Sequence, residues 1–287
     1  MSRARAFCPG HITGFFEIHR TDNLLSTGSR GAGLCFTLGA TSSVELRDSD
    51  RQTIKISING KEQRAEVTRI AVKHLLGKVK SEVRVTTGLD LPVSQGFGMS
   101  AAGSLSASIA LAELLGQERQ RAFEASHMAE VECGSGLGDV SALHRGGITI
   151  RKTAGLPPIG EVLRIDGEPD LVLGVVGRQM LTKSVLLNSA KTMGINRSGG
   201  KCVDRILGER TLEKLMSLSH SFSIDTGLAS KEILGILDEC NSVGMASMTM
   251  LGNSVFATGD SAGISDILKK HGPVWECKVD VEGPRLL

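Results

Sequence analysis

The chain has 287 residues, 40% of them hydrophobic and 22% charged, which suits one large or two ordinary globular domains with a sizeable core. A net charge of +2, 3% aromatic residues and no tyrosine argue against nucleic-acid binding, and the absence of any run of about 18 apolar residues argues against a membrane span. Six cysteines without a Cys-x-x-Cys pair, behind an N-terminus that does not make a signal peptide, point to buried or free thiols in a reducing cytoplasm.

Residues 3–18 read as a strand that enters a turn at Pro9-Gly10 and resumes at His11. Thr27-Gly-Ser-Arg30-Gly-Ala-Gly33 reads as a flexible, donor-rich loop. Ser29 and Arg30 within it are candidate ligand contacts, since a guanidinium fork suits a carboxylate or phosphate. A hairpin turn with a solvated arginine is the competing reading. An alternating stretch runs on to Leu46. Gln52–Ile58 alternates as a strand and turns at Asn59-Gly60, Glu66–Leu76 has a helical period ended by Gly77, and Ser81–Thr87 alternates again.

Pro92-Val-Ser-Gln-Gly96-Phe-Gly98-Met-Ser100-Ala-Ala-Gly103 then opens a long apolar helix with no breaker before Gly116. A loop of small residues at a helix start leaves backbone N–H groups free beside the positive pole of the helix dipole, and an anion is welcome there. A P-loop would need Lys-Ser/Thr after the second glycine, and neither is present. Gly96-x-Gly98-x-x-Ala101 fits a dinucleotide fingerprint formally, but the preceding strand ends too early for it. Tight packing of a small-residue helix is the remaining alternative.

Arg119–Glu132 reads as a second helix, with His127 and Glu130 on one face at i, i+3. Gly134-Ser-Gly136-Leu-Gly138-Asp139 follows, then Gly146-Gly147 and the strand Ile148–Arg151. From the local pattern, Asp139 is either a turn former or a functional carboxylate on a close-approach backbone. Gly155-Leu-Pro157-Pro158 is the candidate boundary between domains of residues 1–155 and 156–287. Beyond it, Asp170–Val176 reads as a buried strand and Thr182 as the N-cap of a helix. Asn196–Lys201 has the look of a phosphate loop but not its spacing, and reads as a solvated turn. Helices at Glu209–Ser219 and Ala229–Asn241, two strands joined at Gly252-Asn253, a helix at Ala262–His271 and a strand at Val274–Val281 complete a ferredoxin-like order.

Pro92, Gly96, Gly98, Ser100, Ala101 and Ala102, followed by the apolar helix, resemble the phosphate-binding loop of the GHMP kinases, which phosphorylate small metabolites such as galactose, homoserine and mevalonate. Met99 stands where that family commonly has the first of two serines. Phe7-Cys-Pro-Gly-His11 resembles the family's opening Ala-Pro-Gly-(Lys/Arg), with histidine in place of the cation. Gly136, Asp139 and Gly146-Gly147 match its acidic segment, although Ser141 is out of register. Gly244–Ala257 is a thin match to its third motif. Pro-Gly-His-Ile-Thr-Gly-Phe-Phe, Gly-Ser-Arg-Gly-Ala-Gly, Ala-Glu-Val-Glu before Gly-Leu-Gly-Asp-Val, and Gly-Gly-x-x-x-Arg are together similar to the archaeal pantoate kinases within that superfamily.

The resemblance implies an α+β GHMP kinase fold of two domains, with a ferredoxin-like C-terminal domain and the active site in the cleft between the two. It implies ATP and Mg²⁺, with pantoate as the small-molecule partner. Pro92, Gly96, Gly98, Met99, Ser100, Ala101, Ala102 and Gly103 would cradle the phosphates, and Ser100 and Glu130 would hold the metal. Asp139 would orient or deprotonate the acceptor hydroxyl. Ser29, Arg30, His127, Arg151, Thr182 and His11 would surround the acceptor, with Phe15 or Phe16 over its methyl groups. A cytoplasmic enzyme, without nucleic-acid or membrane partners and as a possible homodimer, completes the expectation. Two alternatives stay open at this stage: a GHMP kinase for another small hydroxy acid or alcohol, and a non-catalytic regulator on the same fold. The regulator would be expected to lose the acidic pair, and Glu130 and Asp139 are both present.

Overall fold

The computed structural model of the chain describes residues 2–179 and 189–287. The expectation for Thr182 therefore lies outside the described residues. The first sheet has eight strands. Its spine is a long antiparallel pair, β1 (Ser2–His19) and β2 (Gly28–Asp48), in register from Ser2↔Leu46 to His19↔Gly28. Beyond β2 lie β5 (Ser81–Leu89), β3 (Thr53–Ile58) and β4 (Lys61–Glu62), while β12 (Arg285–Leu286) pairs the outer edge of β1. The first part of β2 also pairs β6 (Ile148–Arg151), which pairs β7 (Val162–Ile165). Only β3 and β5 run parallel among these pairs.

Two expectations fail along this spine. Pro9-Gly10 is no turn; the register shifts there and the strand continues. A bulge absorbs the missing proline donor while the flanking residues keep pairing. Thr27–Gly33 is no flexible loop either, because Gly28 onward is strand β2, paired on both sides by β1 and β6.

Helices α1 (Glu66–Leu76), α2 (Met99–Leu114), α3 (Arg119–Cys133) and the short α4 (Asp139–Leu143) accompany this sheet. α2 lies against β1 and β2 and under α1 and α3, and is buried nearly all round. That burial explains its composition. Alanines let it approach closely, and its serines find partners inside: Ser106 with Ser42, and Ser108 with Ser126.

The second sheet has the antiparallel order β11 (Val274–Lys278), β8 (Asp170–Val175), β10 (Ser254–Gly259), β9 (Gly244–Met248). Helices α5 (Ser189–Gly208), α6 (Leu212–Asp225) and α7 (Lys231–Asn241) fall between β8 and β9, and α8 (Ser261–Leu268) between β10 and β11. This is the strand, helices, two strands, helix, strand order expected from the sequence. Thr211, Ser230 and Asp260 cap α6, α7 and α8 by accepting backbone N–H bonds. The expected helix at Glu209 thus begins later, at its cap, and runs on to Asp225.

One further reading is corrected here. Asn196–Lys201 is the middle of α5, not a solvated turn. Asn196 Oδ1 accepts from Ile18 N and its Nδ2 donates to Ile18 O, and a Cβ at Gly199 would run into the Phe16 carbonyl. Its glycine serves helix-on-strand packing. The expected boundary at Gly155–Pro158 falls between β6 and β7, two paired strands of the first sheet. The chain passes to the second sheet after Ile165.

Candidate active site

The Pro92–Gly98 loop is gripped from two sides. His11 N donates to Phe97 O at 3.1 Å, and a Cβ at Gly98 would lie 2.8 Å from His11 O. On the other side Thr249 Oγ1 donates to Gln95 O at 3.0 Å, and a Cβ at Gly96 would lie 2.5 Å from that hydroxyl. Met250 N donates to Thr13 O, tying the β9–β10 turn to β1 as well. Gly98, with φ of 66°, is the N-cap of α2 and contributes no side-chain cap. A residue with a Cβ would be strained there and would strike β1. The first helical bond runs from Ala102 N to Gly98 O, so the N–H groups of Met99, Ser100 and Ala101 have no acceptor within the helix. Met99, Ala101 and Ala102 bury their side chains in the core, leaving backbone donors and the Ser100 side chain at the surface of the cavity.

That cavity holds about 700 Å³, in the range of small-molecule sites. Residues from both sheets' regions contribute to it, since Met250 and Leu251 line it with Gly96–Ser100. Of the acidic residues that line it, Glu66, Glu130 and Asp139, the last two stand by the loop and α2. Glu130, on α3, accepts from Ser100 Oγ at 2.6 Å and is 3% exposed. Burial pushes its carboxyl up to about 7, the Ser100 bond opposes this, and the nearby charge of Asp139 adds to it. Asp139 opens α4, and its Oδ1 accepts from His11 Nδ1 at 2.7 Å. Burial pushes Asp139 up, but the His11 bond and the positive Arg151 outweigh burial and hold it below the usual carboxylate range. Burial and Arg151 keep His11 below its ordinary value despite Asp139. His11 is therefore a neutral ring that donates from Nδ1, while its buried Nε2 has no hydrogen-bond partner among the described residues. Gly136 sits between the carboxylates: a Cβ there would strike Glu130 Oε2 and lie 3.5 Å from Asp139 Oδ2.

The acceptor side of the expectation divides. Ser29 lines the cavity beside Asp139. Arg151 ends β6 with its side chain 1% exposed, close behind Gly138, where a Cβ would lie 2.7 Å from Arg151 Nε. Its Nη2 donates to Thr13 Oγ1 at 3.4 Å, and its Nε and Nη1 have no hydrogen-bond partner among the described residues. Burial lowers it to about 10, with Asp139 pulling it back up. Arg151 does not line the cavity.

Arg30 and His127 are not brought into the site. Arg30 neighbours Ser29 and Gly31 on a strand, so its side chain leaves by the opposite face. There it binds Glu17 Oε2 at 3.0 Å, Lys152 O and Asp204. His127 shares a helix face with Glu130 as expected, but its Nε2 donates to Thr27 O at 2.9 Å and Leu24 O at 3.2 Å. It holds the β1–β2 connection and does not line the cavity.

The sequence reading did not single out Thr13, Leu137, Met250 or Leu251, which line the cavity, nor its far end at Ala65–Thr68.

Comparison with known proteins follows the same lines. The GHMP kinases N terminal domain matches residues 65–147. A pantoate kinase of Methanocaldococcus jannaschii is 34% identical over 267 residues, covering 91% of this chain and 95% of that protein. One of Methanospirillum hungatei is 35% identical over 301 residues, covering 100% and 97%. Among solved structures, a phosphotransferase related to the CoA biosynthesis pathway superposes with a TM-score of 0.91 at 29% identity, covering 100% of this chain and 99% of that one. Fold and relatives agree, and the chain belongs to the pantoate kinase family of the GHMP kinases.

Proposed function

We propose that this protein transfers the γ-phosphoryl group of ATP to the terminal hydroxyl of pantoate, giving 4-phosphopantoate on the route to coenzyme A. The observation that carries the chemistry is one cavity lined by an open helix start, the Ser100–Glu130 pair and Asp139, with the buried His11 bonded to Asp139 from outside the lining. The relatives named pantoate kinase, aligned over nearly their whole length, support the acceptor. Cysteines that form no disulfide among the described residues and no described helix long and apolar enough to cross a membrane fit a cytoplasmic setting.

The loop from Gly96 to Gly103 receives the phosphates through backbone N–H groups at the start of α2. Ser100 Oγ and the Glu130 carboxylate are an all-oxygen donor set. A buried carboxylate held near 7, with no ion-pair partner among the described residues, fits a divalent cation as its missing countercharge. Mg²⁺ takes one or two protein ligands and fills the rest with phosphates and water; when bound, it supplies charge compensation to the phosphates. His11 aims Asp139 and helps keep it ionised. Asp139 takes the proton of the acceptor hydroxyl as that oxygen bonds to the γ-phosphorus and the bond to the ADP oxygen breaks. Thr13 and Ser29 offer hydroxyls to the acceptor's polar groups. Arg151 adds positive charge behind Asp139, and its unspent N–H groups suit the acceptor's carboxylate if Gly138 shifts aside.

The test is a coupled ADP-release assay with pantoate, mevalonate, homoserine and shikimate as acceptors. Mg²⁺-dependent turnover with pantoate in clear preference is expected. Turnover confined to another acceptor would refute the reading.

A further inference from the structure

We infer that Phe16 and Leu137 form an apolar wall that selects acceptors with a quaternary dimethyl carbon beside the reacting CH₂OH group; this rests on the pantoate reading above. The wall exists because β1 changes parity. In an unbroken strand, residues three apart point to opposite faces. The register shift between Thr13 and Phe15 sets Thr13 opposite Gly33 and Phe16 opposite Gly31. Directly paired residues share a face, and so do Gly31 and Gly33, so Thr13 and Phe16 both look into the cavity. Phe15, by contrast, falls opposite Ala32 and is fully buried in the core. The structure thus separates two neighbouring phenylalanines that sequence alone leaves equivalent.

The Phe16 ring packs on Phe222, with centroids 5.8 Å apart, as does Phe15 at 6.5 Å; across the strand from Phe16, Gly31 has no side chain, and Arg151 Nη2 lies 2.9 Å from where its Cβ would be. Leu137 comes from the other side, on the Gly136–Gly138 segment that delivers Asp139, and its carbonyl lies over Gly28. Both residues line the cavity along with Ser29 and Asp139, and Leu137 is joined to Gly138, whose Cβ position lies 2.3 Å from Ser29 Oγ. An acceptor whose hydroxyl reaches Asp139 carries its branched carbon two bonds beyond that oxygen. Two methyl groups there would cover apolar surface that an unbranched chain leaves facing water. A missing methylene-sized group in such a pocket is worth roughly 10- to 200-fold in specificity.

The experiment measures kcat/KM for pantoate and for 2,4-dihydroxybutanoate, the same acid without the methyl groups, in the wild type, Phe16→Ala and Leu137→Ala. Phe16 is tied into the core, so Leu137→Ala serves as the second variant, and both are checked by thermal melts. The pantoate to 2,4-dihydroxybutanoate ratio should fall by roughly tenfold or more in each folded variant. A ratio unmoved in Leu137→Ala, with pantoate still turned over by the wild type, overturns this inference alone. A wild type that does not phosphorylate pantoate overturns the functional reading and this inference with it.

Discussion

Glu130→Gln in the metal-free protein tests the electrostatics of the site without any catalytic readout. Burial holds the folded Glu130 near 7 against an ordinary 4.5, so the folded chain binds this proton more tightly than the unfolded chain. Glu130's contribution to stability is then complete below 4.5 and is lost as pH rises through 7. Over that gap, at about 1.4 kcal/mol per pH unit, the loss comes to roughly 3 kcal/mol. An amide does not titrate, so the variant lacks this dependence. Urea unfolding in EDTA, followed by circular dichroism, should find the wild type losing roughly 2–3 kcal/mol relative to the variant between pH 5 and pH 8.5. Added Mg²⁺ at pH 8.5 should restore the wild type and leave the variant little changed, because a ligand stabilises the state that binds it. Parallel pH profiles for the two chains would show that Glu130 carries no penalty in the folded state, and the countercharge argument for a cation would fall.

Three other outcomes follow from the same geometry. Asp139→Asn should lower kcat by roughly a hundredfold or more while calorimetry finds nucleotide affinity retained; lost affinity with residual chemistry would make Asp139 a metal ligand. His11→Ala removes a hydrogen bond to a charged group, so kcat should drop roughly 10- to 100-fold with little change in KM for ATP. The acid limb of its kcat profile should move to higher pH, since His11 helps hold Asp139 low; an unmoved limb would remove His11 from the mechanism. Gly199→Ala and Gly235→Ala should shift the melting temperature in opposite directions. Both glycines lie inside helices, where alanine is favoured by about 1 kcal/mol, but a Cβ at Gly199 strikes the Phe16 carbonyl and one at Gly235 meets nothing within 4 Å.

Much of the fold could be read from local pattern. The limits of α1 and β6 coincide with the hydrophobic period and its glycine stop. The loop-to-helix junction at Gly98–Ser100 was legible because its chemistry is local: glycines, small residues, then a helix. What escaped depends on partners far away in the chain. Arg30 looked like a free fork until β2 gave it a face and Glu17 an ion pair. His127 carried no sign of the Thr27 and Leu24 carbonyls it binds. Asn196–Lys201 looked like a turn because Gly199 answers to Phe16 and Gly200 to Glu17, not to their own neighbours. β12 is two residues long, too short for any periodicity.

Strand β12 also bears on how the molecule is made. It pairs β1 at Ala6 and Phe7, and just upstream Asp280 N donates to Cys35 O while Gly147 N donates to Asp280 O. On the ribosome, β1 and β2 emerge early, and this flank of β1 must wait for residues 285–287. At 5–20 residues per second the interval is roughly ten seconds to a minute. During it the nascent sheet presents an unpaired edge, a template for joining another nascent copy. Translation speed across the second half of the chain therefore sets how long that edge stays open, and a pause there should lower the yield of soluble protein more than one placed before β1.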